Sequence, residues 1–168
     1  MATPPAGIVP RLLASWLRPA QVVRGLRDMP ERALVVVLMA ALAVFFVAQW
    51  PVHARAAHLD PSIPLAARLG GAGLAVMFIM PLLAYALAAL SGGVMRLIGR
   101  PIDPRHARLA LFWALLAVSP VMLLAGLSAG LAGPGAATSL VQALAGIGFV
   151  VIWMAGLSAL SRGRHDPE

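Results

Sequence analysis

The sequence predicts an all-α integral membrane protein, a bundle of four transmembrane helices preceded by an N-terminal amphipathic segment at the membrane interface. Three observations predict it. Hydrophobic residues make up 61% of the chain and charged residues only 11%, against about 25% charge in soluble domains, so a water-facing shell cannot be built. The apolar residues fall in four runs, each near the roughly 20 residues that a helix needs to cross the hydrocarbon core. The 13 basic residues are all arginine and cluster between those runs, where they bear on topology and on anionic headgroups. Nucleic-acid binding would want a basic face with interleaved aromatics on a polar domain, an arrangement this chain lacks. Without cysteine there is no disulfide framework, thiolate metal site or cysteine nucleophile.

Residues 1–32 form a basic, cytoplasmic amphipathic segment. Val9, Leu12, Leu13 and Trp16 share one helical face with Arg11 and Arg18 off it; beyond Pro19, Val22, Val23, Leu26 and Met29 make a second stripe opposite Arg24. The pattern predicts two short helices, rephased at Pro19, lying flat in the headgroup region. The first crossing covers 33–50 and is closed by Gln49, Trp50 and Pro51. It is just long enough for the hydrocarbon core, and the long segment before it favours a retained signal anchor over a cleaved signal peptide. Residues 52–68 predict a solvated loop holding His53, His58, Asp60 and the turn prolines Pro61 and Pro64.

The second crossing covers 69–90 with Pro81 in its middle, a helix that projects on to Ile98 and is capped by Gly99. A charged linker with Pro101 and Pro104 spans 100–108. The third crossing covers 109–132 and carries a central Pro120. The Gly133-Pro134-Gly135 turn joins it as an antiparallel hairpin to the fourth, 137–160, and 161–168 form a cytoplasmic tail.

With four crossings, Arg11, Arg18, Arg24, Arg27 and Arg32 fall on the same side as Arg96, Arg100, Arg105, Arg108, Arg162 and Arg164. The opposite side receives Arg55 and Arg68. The positive-inside rule then places both termini and the central linker in the cytoplasm. Arg11, Arg18, Arg24, Arg100, Arg105 and Arg108 are the candidates to meet lipid headgroups or a partner.

Between these boundaries there is no Asp, Glu, Lys, Arg or His, which argues against coupled transport and intramembrane catalysis alike. Ser119, beside Pro120, has no buried base to activate it, and the spacing of His53, His58 and Asp60 matches no helical metal-ligand pair. No catalytic residue, metal site or cofactor is therefore expected. Gly126-x-x-x-Gly130 marks close helix packing, and Pro81 and Pro120 are further packing positions. Trp16 and Trp50 suit the interface, while Trp113 and Trp153 suit either interface or interior.

The stretch Arg96-Leu97-Ile98-Gly99-Arg100, then Ala107-Arg108-Leu109-Ala110-Leu111-Phe112-Trp113 leading to Ser119-Pro120, resembles the bacterial branch of the Yip1 family, over a region from about Arg18 to Leu160. That family is commonly described with five membrane segments; here four are clear, a departure from the family's count unless the amphipathic N-terminal piece stands for the fifth. The resemblance implies a compact helical body in the bacterial inner membrane that associates with the lipid bilayer, with other membrane proteins or with itself, and transfers no functional residue. The expected function is a non-enzymatic interaction or membrane-organising unit. A small transporter or permease subunit is the alternative, which flux dependent on Gln142 or Tyr85 would reveal.

Overall fold

The structure is a computed structural model that describes residues 7–161. Arg162 and Arg164, counted above with the cytoplasmic arginines, lie outside the described residues. Among those described, all regular structure is helical: α1 Ile8–Leu17, α2 Pro19–Arg24, α3 Glu31–Leu59, α4 Leu65–Leu74, α5 Met80–Leu97, α6 Pro104–Leu131 and α7 Ala136–Leu160. One π-helical turn, Ala75–Ile79, joins α4 to α5 as a single rod, Leu65–Leu97. That rod, α3, α6 and α7 are each long and apolar enough to cross a membrane.

The helix at the centre is α6. Buried residues make up 61% of its most apolar stretch, against 17% for the α4–α5 rod, and Leu109 through Ala114 are all essentially inaccessible. It packs against α3, α5 and α7, while no Cα of α7 comes within 8 Å of α3, α4 or α5. The bundle is thus left open along one side, over a strip of α6 between α3 and α7.

Two of the sequence-predicted boundaries need correction. The first helix does not stop at Trp50 and Pro51 but runs on to Leu59, so most of the predicted 52–68 loop is helical and only Asp60–Pro64 remains as a turn. Pro51 removes one backbone hydrogen bond, to the carbonyl of Val47, and would break an isolated helix. Here its ring and carbonyl lie against Gly130 of α6, which holds the chain on course, and the Ala-rich stretch Val52–Leu59 favours helix beyond it. The third helix likewise starts before Leu109, at Pro104: the Asp103 carboxylate accepts from the Arg105 amide at 2.7 Å as an N-cap, with proline at the first helical position.

Both interior prolines are accommodated locally. Pro81 follows the π turn, which reregisters the rod and so absorbs the missing N–H. Pro120 leaves the Leu116 carbonyl without its backbone donor, and the Ser119 hydroxyl donates to that carbonyl at 2.8 Å. Pro120 itself is exposed, so it shapes α6 through its backbone and not, as the sequence reading had it, by packing against a neighbour.

The two glycines with positive φ end helices. Gly99 (φ 74°) closes α5 with Gly99 N–H to Arg96 and Arg100 N–H to Met95, the paired bonds of a Schellman motif. Gly133 (φ 78°) ends α6 with one bond to Ala129 and opens the hairpin to α7. The hairpin is clasped by Thr138, whose hydroxyl donates to the Gly133 carbonyl and meets the Ser128 hydroxyl, both at 2.9 Å.

Candidate functional site

The N-terminal pair α1–α2 breaks at Arg18–Pro19 as the rephased pattern predicts. Its apolar faces do not all look the same way. Ile8, Val9, Leu13 and Leu17 are exposed, whereas Ser15, Val23 and Leu26 are buried against the bundle. Arg11 shares a cleft with Gln21, Val22 and Gly25, so α1 folds back along α2 as a hairpin.

Two tryptophans bolt this hairpin to α6. Trp16 Nε1 donates to the Ala117 carbonyl at 3.0 Å, and Trp113 Nε1 donates to the Ser15 hydroxyl at 2.9 Å, which in turn donates to the Arg11 carbonyl at 2.8 Å. The benzo edge of the Trp16 indole abuts Gly148 of α7, where a Cβ would overlap it. Val23 packs beside Gly156, and the Arg105 guanidinium donates to the Arg27 carbonyl at 2.9 Å. Ser15 was not singled out in the sequence, because a serine between apolar residues carries no signal of its own; only its pairing with Trp113 makes it structural.

The linker arginines tie the same end of the body together. Arg108 meets Glu31 at the start of α3 through Nη2···Oε2 and Nε···Oε1, both 2.9 Å, the first with hydrogen-bond geometry. Its guanidinium also lies 6.0 Å from the centre of the Tyr85 ring, and Tyr85 is edge-on to Phe112. Arg100 reaches the Ser158 carbonyl at 3.5 Å. Of the six arginines expected to face headgroups or a partner, Arg105 and Arg108 thus hold helices together, while Arg18, Arg24 and Arg100 are exposed and Arg11 is partly so.

Gly126 and Gly130 face α3. A Cβ on Gly126 would overlap the Ala48 carbonyl, and one on Gly130 would come within 2.7 Å of the Pro51 carbonyl carbon. The Gly-x-x-x-Gly spacing therefore serves contact within one chain.

At the opposite end, the open side of the bundle forms a groove that sequence reasoning missed. A cavity of about 300 Å³ between α3, α6 and α7 is lined by Gln49, His53, Gly126 and Gln142, among apolar neighbours. It shares Val52, Ala129 and Gln142 with an outer chamber that adds Arg55, Thr138 and Ser139, and shares Leu42, Phe45 and Met80 with an inner one lined only by apolar side chains. His53 corrects the sequence reading: it stands on a helix and not in a solvated loop, and its Nε2 is buried without a hydrogen-bond partner. Reading Pro51 as a stop hid it. Arg55, which lines the outer chamber, donates to the Leu131 carbonyl at 3.4 Å and covers Gly133, satisfying the end of α6 where its dipole favours a cation.

The turn at this end is held by Asp60, whose carboxylate accepts from the Ser62 hydroxyl at 2.6 Å and the Ser62 amide at 3.1 Å and pairs with Arg68 at 3.2 Å. Those Ser62 bonds, helped by Arg68 and opposed by slight desolvation, hold the Asp60 carboxyl below its ordinary range. His58 is exposed, and among the described residues no three His, Asp or Glu side chains converge. Comparison with protein-family models, with curated proteins and with solved structures finds no match to this chain.

Proposed function

We propose that this chain is a non-enzymatic multi-pass membrane protein that organises the bilayer around it, of the bacterial Yip1-like type that its helix-end and linker motifs resemble, in the inner membrane with both termini cytoplasmic. The observation that carries this reading is the N-terminal hairpin held against one end of the four-helix body. Trp16 meets α6 at Ala117, thirteen residues past Pro104, and meets α7 at Gly148, twelve residues before Leu160. At 1.5 Å per residue the two counts agree, placing the indole about 18–20 Å along the body. Measured from Arg108, the last charged residue of α6, it lies about 13 Å inside a hydrocarbon core of about 30 Å.

A hairpin at that depth adds cross-section to one leaflet and none to the other, and a bilayer accommodates such an asymmetry by curving. Its exposed Leu13 and Leu17 supply the lipid-facing surface, while Arg18 and Arg24 extend their charged ends to anionic headgroups along apolar stems. The arginine count supports the cytoplasmic leaflet as the one enlarged.

The test is reconstitution of the full chain into vesicles of phosphatidylethanolamine and phosphatidylglycerol, with vesicle diameter read by electron microscopy. The intact chain should narrow the vesicles, and a chain lacking residues 1–24 should not. Equal diameters with and without the hairpin would overturn the reading. Reporters at Pro64 and at the C-terminus should lie on opposite sides of the membrane; finding them together would overturn the orientation.

A further inference from the structure

We propose that the groove on the open side of the bundle binds one phospholipid, with its phosphate at Arg55 and an acyl chain running along α6 towards Leu111. This goes beyond the hairpin reading and concerns the other end of the molecule, so either can fail alone.

The groove exists because α7 stands apart from α3 and α5 over a floor of small residues, Ala125, Gly126 and Ala129. Its three chambers adjoin one another across shared lining residues and measure about 340, 300 and 140 Å³ from the polar end inwards. From Ala129 to Leu111 the α6 floor rises through eighteen residues, about 27 Å, longer than the roughly 15 Å of one leaflet, so a single acyl chain entering at the mouth ends within the groove. An inner chamber of that size suits a polymethylene chain better than a helix about 10–12 Å across.

Polarity is graded along it as in an amphiphile. The outer chamber gathers Arg55, Thr138, Ser139 and Gln142, and Gln49 and His53 border the middle one. The inner chamber, lined by such residues as Leu83, Leu87, Leu111 and Phe149, is wholly apolar. Among the described residues the charge at the mouth is positive and no carboxylate lines any of the three chambers, while Asp60, at the end of α3, is engaged by Arg68 and Ser62. Arg55 commits one N–H to Leu131, and a guanidinium has five, a fork suited to phosphate. The three properties together, cationic mouth, amide-lined neck and apolar shaft, fit an anionic headgroup ahead of a hydrocarbon tail.

The full chain, taken from vesicles of phosphatidylethanolamine and phosphatidylglycerol, is examined by native mass spectrometry. A retained phospholipid is expected, reduced about tenfold in occupancy by Arg55→Ala and unchanged by Arg32→Ala, an exposed arginine at the opposite end of α3. Because Arg55 also caps α6, a photoreactive benzoylphenylalanine in place of Met80, in the otherwise unaltered chain, gives a second readout and should capture a lipid. Capture of a second copy of the chain at that position, or an adduct insensitive to Arg55 in a folded variant, would overturn the proposal. So would loss of adduct formation when excess inorganic phosphate is present before irradiation, which would make the site one for a soluble anion.

Discussion

Replacing Gly148 by alanine should release the N-terminal hairpin while leaving the four long helices intact. A Cβ at this position overlaps the edge of the Trp16 indole, whose Cζ2 is 3.3 Å away, so the ring must leave α7 and with it the 3.0 Å bond to Ala117. Overpacking costs about 1–3 kcal/mol, and an interhelical hydrogen bond in a membrane protein contributes about 0.6 kcal/mol. Alanine returns about 0.5–1 kcal/mol through helix propensity. The net loss of about 1–3 kcal/mol shifts the docking equilibrium by about 5- to 150-fold. Hydrogen exchange of the α1 and α2 amides in lipid nanodiscs should report that loss, with α3 and α6 unaffected. Gly146→Ala, two residues away with nothing within 4 Å, should leave exchange unchanged or slower. In a Trp16→Ala background the Gly148→Ala penalty should largely vanish, a coupling of about 1–3 kcal/mol. Additive single effects would refute the contact, as would equal behaviour of the two glycine variants.

Alanine at Gly126 should destabilise the body itself, because the obstacle there is the Ala48 backbone and not a movable side chain; a loss of about 2–4 kcal/mol should appear as a lower thermal midpoint in detergent, against no loss for Gly93→Ala, whose site is open. The turn at Asp60 should loosen in acid. Its folded carboxyl titrates below the ordinary value of 3.8, so the stabilisation is complete above that value and is lost as pH falls through the folded one. The protection factor of the Ser62 amide, corrected for intrinsic exchange, should fall below about pH 4 in the native chain and stay low and flat in Asp60→Asn.

Much of this architecture can be read from the residues alone, for physical reasons that also mark where reading stops. The four long helices follow from apolar run length, since a backbone in hydrocarbon must satisfy its own hydrogen bonds. Gly99 and Gly133 declare helix ends because a left-handed residue is needed there. Pro51 misleads because its cost depends on what stands behind it, and Gly130 is 79 positions away in the sequence. Nor can composition tell that α6 is the central helix. The four spans have similar mean hydropathy, and in lipid an apolar side chain facing the bilayer looks the same as one facing a neighbour. The groove was illegible for the same reason twice over: His53 and Arg55 sit past the misleading proline, and Gln142 becomes a lining residue only once α7 is known to stand off from α3.

The tryptophan bolts also set an order of events during biogenesis. Ser15 and Trp16 find their partners 98 and 101 residues later in the chain. At about 5–20 residues per second the N-terminal hairpin is made roughly 5–20 s before Trp113 and Ala117, and longer before Gly148 on the last helix. For that interval its inner face has nothing to cover it but the membrane surface, where the amphipathic pattern can hold it. Docking then becomes the closing step of assembly, and a chain truncated within α7 keeps an uncovered Trp16, an exposed feature by which unfinished copies differ from complete ones.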